Sequence, residues 1–204
     1  MNNDIVFRMA TTDDAPNLAE KIHEVSPEVV DFLVKGLLPG IGVYEILTMV
    51  MRDESSHFSY KNCVLAEIKN KTAGLLFAYP AEKQNIPQLM EHLLPSSRLD
   101  PLRELLTLKV PGSLYINTLW VDSTFRGMGI ADALLNYAKY WAVEAGMNGI
   151  SLFAWRDNVR AVAFYRKHGF TPVLELSASI ALRDKHEYGD LYNLKLEKST
   201  VTMA

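Results

Sequence analysis

The feature that most constrains the fold is a strand that leads through a glycine-bearing turn directly into a helix. Leu114–Val121 has the pattern of a strand, and the turn that follows contains Gly127 and Gly129. Small and aliphatic residues then recur at three- and four-residue steps over about 129–145, which is typical of a helix packed on a sheet. The first amides of such a helix lack partners within it and carry the positive end of its dipole. The segment is therefore predicted to form a phosphate-binding turn, most naturally for a pyrophosphate.

The residues of this turn exclude the two common nucleotide-binding patterns. The Walker pattern requires Lys followed by Ser or Thr after the second glycine, but Ile130 and Ala131 stand there. The dinucleotide pattern requires a third glycine at the position of Asp132, whose carboxylate would repel a pyrophosphate. Two interpretations stay open at this point: a purely structural turn and a functional phosphate site of another kind.

Strands and helices alternate along the chain, and the chain ends in a pair of strands. This order predicts one mixed α/β domain over residues 1–204. The N-cap residues Thr11–Asp13 predict a first helix that ends near His23. The other predicted helices are 29–38, 43–51, 86–94, 102–108, 129–145 and 158–167, and the predicted strands are 5–9, 63–68, 73–79, 114–121, 150–155, 171–181 and 189–197, with a hairpin turn at 69–72.

Composition bounds the class of protein without indicating its function. The 204 residues are 49% hydrophobic and 22% charged with a net charge of −3, which excludes disordered and collagen-like chains. The chain lacks the clustered surplus of basic residues that is typical of nucleic-acid-binding proteins. No apolar run reaches the ~20 residues of a membrane helix. The first residues contain acids where a signal peptide would carry basic residues. We therefore expect a cytoplasmic protein that binds neither nucleic acid nor membrane.

Cysteine and histidine usage argues against disulfides and metal sites. Cys63 is the single cysteine and lies in an apolar strand pattern, so it is predicted to be a buried small side chain. The five histidines lack the spacing of metal ligands, and no metal is expected.

A second pattern follows the phosphate-binding turn after one intervening strand. Asn158, Ala161 and Tyr165 are spaced i, i+3 and i+7, which places them on one face of a helix. Arg126–Ala131 (RGMGIA) resembles the Arg/Gln-x-x-Gly-x-Gly/Ala acetyl-CoA motif of the GNAT N-acetyltransferase superfamily. Asn158–Phe170 (NVRAVAFYRKHGF) is similar to the next motif of that superfamily, at the usual separation. The strong resemblance covers about 114–171.

The resemblance implies a fold, a reaction and a co-substrate. The expected fold is α/β (an α+β mixed sheet), with a central, mostly antiparallel twisted sheet of about seven strands splayed between the fourth and fifth and flanked by helices. The expected activity is transfer of the acetyl group of acetyl-CoA to a primary amine by direct attack in a ternary complex. The acceptor is a small molecule or a peptide, and a homodimer is left open.

The resemblance also assigns roles to individual residues. The amides of the turn would hold the CoA pyrophosphate, and pantetheine would run along the backbone of the preceding strand. Asn158 would hydrogen-bond the pantetheine or phosphate region, while the small Ala161 would admit it. Tyr165 would donate a proton to the departing thiolate. The expected cofactor-binding residues are Leu119, Val121, Arg126, Gly127, Met128, Gly129, Ile130, Ala131, Asn158, Ala161 and Tyr165, and Tyr165 is the expected catalytic residue.

The motif strand departs from a common family pattern, because Leu114–Val121 contains no acid that could deprotonate the amine. Asn117 and Thr118 can position a water but cannot usefully accept its proton. Either a base comes from elsewhere or the enzyme takes amines that are already neutral. The missing acid also leaves a second hypothesis, a non-catalytic acyl-CoA sensor. Candidate bases by residue type alone are Glu45, Glu67, Glu91, His92 and His186.

Three further expectations concern the surroundings of the motifs. The basic residues Arg156, Arg160, Arg166 and Lys167 form either a solvated helix face or a contact to the 3′-phosphate of CoA. Trp120 alternates with Leu119 and Val121 and is expected to pack on the opposite face of the sheet. Segments 26–60 and 80–112 carry no motif, and in this fold they would select the acceptor.

Overall fold

The computed structural model describes residues 5–196, which form a seven-stranded sheet with helices on both faces. Both ends of the predicted domain, 1–4 and 197–204, lie outside the described residues, as does the predicted last residue of the final strand. The strands are β1 (Val6–Met9), β2 (Cys63–Ile68), β3 (Lys71–Pro80), β4 (Ser113–Val121), β5 (Gly149–Trp155), β6 (Thr171–Ser177) and β7 (Tyr188–Lys195). The helices are α1 (Ala15–Val25), α2 (Pro27–Val34), α3 (Val43–Arg52), α4 (Gln88–Leu93), α5 (Ser96–Leu99), α6 (Arg103–Thr107), α7 (Ile130–Glu144) and α8 (Val159–Lys167).

The sheet has the order β1-β2-β3-β4-β5-β7-β6 and is antiparallel except between β4 and β5. These two strands pair in parallel only over Ser113–Ile116 and Gly149–Leu152. Beyond that point β4 stays paired with β3, and β5 stays paired with β7. The sheet therefore opens between β4 and β5, and this confirms the expected fold with its splayed fourth and fifth strands.

Two hydrophobic clusters cover the two faces of the sheet, as the alternation of side chains along β3 requires. Leu76 and Ala78 belong to the cluster that includes α7 and α8, whereas Leu75 and Phe77 belong to the cluster with α1 and α3. Trp120 lies in the second cluster, opposite Leu119 and Val121, so its predicted packing role is confirmed. Cys63 is fully buried, also as predicted.

The helix that follows the glycine turn lies very close to the sheet. A Cβ added at Gly74 on β3 would stand 2.8 Å from side-chain atoms of both Ile130 and Leu134. Real Cβ atoms are not found at such distances, so a larger residue at position 74 would force the Ile130 and Leu134 side chains to shift. Gly74 thereby allows the first turns of α7 to pack closely on β3.

The structure corrects several predicted boundaries. The helix predicted over 29–38 begins at Pro27, since proline is favoured at the first helical position, and it ends at Val34 before Gly36 with φ of +66°. The strand predicted over 171–181 ends at Ser177, because residues 179–186 form turns instead. The hairpin turn is only Lys69–Asn70, both with positive φ, and Lys71 already belongs to β3.

The helices of the described part of the chain are too short or too polar to cross a membrane.

Candidate functional site

The turn between β4 and α7 is held open by two glycines in the left-handed region. Gly127 has φ of +80° and Gly129 has φ of +79°, and no atom lies within 4 Å of a Cβ added at either position. Glycine is therefore required here by backbone conformation rather than by lack of space. The Asp122 carboxylate accepts hydrogen bonds from the amide and hydroxyl of Thr124 (2.8 and 2.6 Å) and stabilises the start of the turn.

Five amides at this turn have no hydrogen-bond acceptor within residues 5–196. They belong to Gly127, Gly129, Ile130, Ala131 and Asp132. The amides of Arg126 and Met128, which the sequence analysis also included, instead donate within the turn to Ser123 and Phe125. Free amides at the positive end of a fifteen-residue helix form a site that can bind an anion.

The Asp132 carboxylate, which argued against a nucleotide site, is directed toward α8. Its Oδ1 lies 3.0 Å from Nε2 of His168, the residue that follows the last turn of α8. An acid in the first turn is also stabilised by the helix dipole. Asp132 therefore has a neighbour on the α8 side that its position in the sequence did not indicate.

The edge of β4 that faces β5 exposes unpaired backbone groups after the two strands separate. The Asp122 amide donates to the Ala73 carbonyl (3.0 Å). This bond determines which residues of β4 hydrogen-bond to β3, because hydrogen-bonded and non-hydrogen-bonded pairs alternate along an antiparallel ladder. By that alternation Trp120 pairs with β3, while the N–H and C=O groups of Leu119 and Val121 point toward the gap. These are the two strand residues predicted to bind pantetheine, and they present the edge needed to accept an extended ligand as an additional strand.

The second predicted motif lies across the gap at the start of α8. The Asn158 side chain caps this helix, since its Oδ1 accepts the Ala161 amide at 3.2 Å. Asn158 is predicted from the sequence to bind the cofactor, and its role as a helix cap was not predicted. The cap uses the carbonyl oxygen alone, so both amide hydrogens of the side chain remain available.

Tyr165 is buried on the α7–α8 side of the sheet, where its ring packs edge-on against Phe164 and Phe170. Burial raises the pKa of Tyr165 to about 12. Burial also raises the pKa of Tyr115 on β4, and the neighbouring Tyr165 raises it further. The two phenols are thus electrostatic neighbours, and Tyr165 holds its proton throughout the neutral pH range.

A cavity of about 170 Å³ lies at the same gap, on the face of the sheet opposite to the one that buries Tyr165. Its floor is formed by β4 and β5, including Tyr115, Asn117, Thr118 and Trp155. Its walls come mainly from α1–α3 and from the 84–106 region. Both segments that lack a sequence motif, 26–60 and 80–112, therefore contribute to it.

A chain of hydrogen bonds crosses the floor of this cavity. The Thr118 hydroxyl donates to Asn117 Oδ1 (3.0 Å), and Asn117 Nδ2 donates to the Tyr79 hydroxyl (3.3 Å). Tyr79 donates to Gln84 Oε1 (2.5 Å), and Gln84 Nε2 donates to the Leu106 carbonyl (3.0 Å). Asn117 is the extra residue of a β-bulge in β4, opposite Phe77 and Ala78 of β3. The bulge directs the Asn117 side chain toward its hydrogen-bond partners.

His57 also lines the cavity, and its ring meets that of Tyr79 edge-on at 4.6 Å between centroids. Burial lowers the pKa of His57 to about 4, with a smaller contribution from Lys83, so its imidazole is neutral at pH 7. In the sequence, His57 is noticeable only as one of five histidines without metal-ligand spacing, and Gln84 carries no signal at all. No local pattern marks either residue, because tertiary contacts alone bring them to the cavity.

The five candidate bases named from the sequence are absent from the cavity wall within residues 5–196. Glu45 accepts the Gly42 amide at the start of α3, and Glu67 binds Arg8. Glu91 faces Arg103 at 3.5 Å, and His92 contacts the carbonyl one turn earlier in its own helix. His186 stacks on Trp155, which does line the cavity.

Arg156, for which a contact to the 3′-phosphate of CoA was one of two open alternatives, is paired with acidic side chains of the protein. Its guanidinium donates to both carboxylate oxygens of the buried Asp190 (2.9 and 2.7 Å) and pairs with Glu175. These carboxylates hold the pKa of Arg156 above its usual range, and the Arg156 guanidinium holds the pKa of Asp190 below its usual range. Arg156 is therefore a structural residue that joins β5 to β6 and β7.

A model of the acetyltransferase (GNAT) family matches residues 44–170, which is more than half of the chain. Streptothricin acetyltransferase of Escherichia coli is 36% identical over 70 residues, which cover 29% of this chain and 40% of that protein. An uncharacterized N-acetyltransferase of Methanocaldococcus jannaschii is 38% identical over 55 residues, covering 27% of this chain and 24% of that protein. The chain thus spans less than half of the length of these two relatives.

Solved structures match over almost the whole chain. The crystal structure of an acetyltransferase has a TM-score of 0.67 at 21% identity and covers 94% of this chain and 100% of its own. An N-acetyltransferase from Staphylococcus aureus Mu50 has a TM-score of 0.67 at 24% identity, covering 92% and 99%. At these identities the likeness is one of fold.

Proposed function

The chain belongs to the acetyltransferase (GNAT) family, and from that premise we propose that it transfers the acetyl group of acetyl-CoA to a primary amine in a ternary complex. The acceptor is a small molecule or a peptide. The observation that carries the proposal is the meeting of three features at one gap in the sheet: the free amides of the turn and of the first turn of α7, the open edge of β4, and the cavity lined by β4 and β5.

The cofactor half of the site is assigned to the turn and the open edge. The amides of Gly127, Gly129 and Ile130–Asp132 would bind the pyrophosphate, and pantetheine would lie along Leu119 and Val121. Asn158 would donate to the pantetheine through its free amide hydrogens. In this arrangement the thioester reaches the point where β4 and β5 separate, and a backbone N–H of β4 is available to the developing oxyanion.

Tyr165 is assigned the role of proton donor. The amine nitrogen attacks the thioester carbonyl carbon, the carbon–sulfur bond breaks, and the sulfur leaves with a proton. A phenol whose pKa is about 12 keeps that proton until it is needed, and the proton lost by the amine restores the phenol through solvent. Tyr115 lines the cavity and its pKa is raised by burial and in part by the charge of Tyr165, which supports a placement of Tyr165 near the junction of the two half-sites.

The cavity is assigned to the acceptor, and segments 26–60 and 80–112 become the acceptor-selecting part of a single domain. Thr118 and Asn117 stand where the cavity reaches β4. Their side chains are held by the chain of hydrogen bonds through Tyr79 and Gln84, so the acceptor end of the site is fixed before any ligand binds.

Calorimetry and a thiol-release assay test the proposal. We expect acetyl-CoA to bind at micromolar concentrations and free CoA thiol to appear when a suitable amine is added. Absence of binding at millimolar acetyl-CoA would overturn the proposal. Binding without thiol release across a broad amine panel would instead support an acyl-CoA sensor, the alternative suggested by the lack of an acid on β4.

A further inference from the structure

The cavity beside β4 carries no formal charge on its wall. Within residues 5–196 its lining includes no Asp, Glu, Lys or Arg side chain. The histidine that lines it, His57, is neutral at pH 7 because burial lowers its pKa to about 4. Most of the wall is aliphatic or aromatic, as with Val30, Leu47 and Phe153. A ligand that carried a charge on its body would therefore be buried here without a counter-charge.

The size of the cavity limits the ligand further. Its volume of about 170 Å³ is close to the roughly 150 Å³ of an apolar protein cavity that holds one benzene molecule. The space therefore fits one aromatic ring or a short alkyl chain, whereas a long peptide would have to leave most of its length outside.

Asn117 and Thr118 bring polar side chains to the part of the cavity wall that β4 forms. Asn117 Oδ1 already accepts from Thr118, and an amide oxygen has a second lone pair that can accept from an amine. An ammonium at this position would face no carboxylate and would be partly desolvated, which lowers its pKa. The neutral amine, the form that attacks a thioester, is thereby favoured without a dedicated base.

We propose that the acceptor is a small primary amine with an uncharged, apolar body about the size of one aromatic ring, bound with its nitrogen at Asn117 and Thr118. This inference rests on the proposed acetyltransferase function. It names the class of acceptor, and it accounts for the absence of an acid on β4, because the cavity binds the amine in its neutral form.

A panel of amines of similar length tests the inference. Thiol release from acetyl-CoA is measured with 2-phenylethylamine, n-pentylamine, putrescine, agmatine, phenylalanine and a short peptide. We expect kcat/KM for 2-phenylethylamine to exceed that for each charged-body amine by about 100-fold or more. If acetyl-CoA binds but a diamine, an amino acid or the peptide reacts best, or nothing in the panel reacts, the inference is wrong. If acetyl-CoA does not bind at all, the proposed function fails first and the inference fails with it.

A cavity-filling variant tests the location of the acceptor. Val29 on α2 lines the cavity and is half-buried. We expect Val29→Trp to lower kcat/KM for 2-phenylethylamine at least tenfold with an unchanged dissociation constant for acetyl-CoA. Val25→Trp, at an exposed position outside the cavity wall, is the matched control and should leave both unchanged. Equal effects of the two substitutions would contradict the assignment.

An isosteric change of charge tests the selectivity itself. Asn85 lines the cavity at an exposed position, so Asn85→Asp adds a carboxylate at the mouth of the cavity with little risk to folding. We expect the ratio of kcat/KM for putrescine over n-pentylamine to rise at least threefold. Asn136→Asp, exposed on α7, should leave the ratio unchanged. A ratio that does not move in Asn85→Asp would contradict the claim that the uncharged wall selects the acceptor.

Discussion

The imidazole of His186 stacks flat on the indole of Trp155, with 4.4 Å between ring centroids and 2° between their planes. Trp155 ends β5 and lines the cavity, whereas His186 belongs to the connection between β6 and β7. The Nδ1 atom of His186 contacts Asp157 at 2.7 Å, and Nε2 lies 3.8 Å from Glu28 on α2. His186 therefore holds one wall of the cavity in place although it does not line the cavity itself.

The first prediction follows from this stack. His186→Ala removes the support of Trp155 and should raise KM for the acceptor about three- to tenfold, while the dissociation constant for acetyl-CoA stays constant. Steady-state kinetics and calorimetry measure the two quantities. His92→Ala, at an exposed histidine outside the cavity, should change neither. Loss of acetyl-CoA affinity in His186→Ala would show that the stack supports the cofactor half of the site instead.

The second prediction concerns Tyr165. Tyr165→Phe keeps the ring that packs against Phe164 and Phe170 but removes the hydroxyl, so folding and acetyl-CoA affinity should be retained. Loss of general acid catalysis should lower kcat by about 100-fold or more. Stopped assays of thiol release give kcat, and thermal unfolding checks the fold. A variant with unchanged kcat would remove Tyr165 from the mechanism.

The third prediction concerns the pH profile of the proposed reaction in the wild-type protein. Because the pKa of Tyr165 is raised to about 12, the phenol stays protonated up to pH ~10, and its ionisation should produce no alkaline decline of kcat in that range. On the acidic side, kcat/KM should rise with pH as the free acceptor loses its proton. A decline of kcat centred near pH 8 that disappears in Tyr165→Phe would contradict this assignment.

The fourth prediction separates backbone strain from cofactor binding at the turn. Gly127→Ala forces a side chain into φ of +80° and should cost about 1–2 kcal/mol of unfolding free energy. Gly36→Ala, with φ of +66° and equally open surroundings, is the matched control for that cost. Only Gly127→Ala should weaken acetyl-CoA binding, by about tenfold, because the adjacent amides move. Similar acetyl-CoA affinities in both variants would contradict the phosphate-binding role of the turn.

The fifth prediction concerns His57 and acid stability. Its pKa is about 4 in the folded chain and about 6.5 in an unfolded one. Between these values the unfolded chain binds more protons, so stability falls as pH drops from about 6.5 to 4. His57→Gln should reduce the loss of unfolding free energy across this pH range by about 2 kcal/mol. This value is already lowered because the ring is partly exposed to solvent. Urea unfolding at several pH values measures it, and parallel slopes for variant and wild type would contradict the neutral buried state.

The strand–turn–helix segment was predictable because its determinants are contiguous in the sequence. Two glycines within three residues, an adjacent strand and a periodic helix are local signals, and the structure has them at Gly127, Gly129, β4 and α7. The seven strands were also predicted from local patterns, whereas the opening of the sheet between the fourth and fifth strands was expected from the family resemblance.

The cavity was not predictable in the same way. His57, Tyr79, Gln84 and Asn117 come from separate loops and strands, and no spacing along the chain relates them. The end of β6 was misplaced for a similar reason. The apolar residues after Ser177 suggest a continuing strand, but turns form there instead, in which the Leu182 amide donates to the Ser179 carbonyl and the His186 amide to the Leu182 carbonyl. Tertiary context, rather than periodicity, decides such positions.

Amide hydrogen exchange at the start of α7 tests the central claim most directly. The amides of Gly127, Gly129, Ile130, Ala131 and Asp132 have no acceptor in the described chain and should exchange rapidly in the free protein. Addition of saturating acetyl-CoA should slow exchange at these positions together with Leu119 and Val121, measured residue by residue by NMR. Unchanged exchange at all of them, in a protein that calorimetry shows to be saturated, would contradict the account.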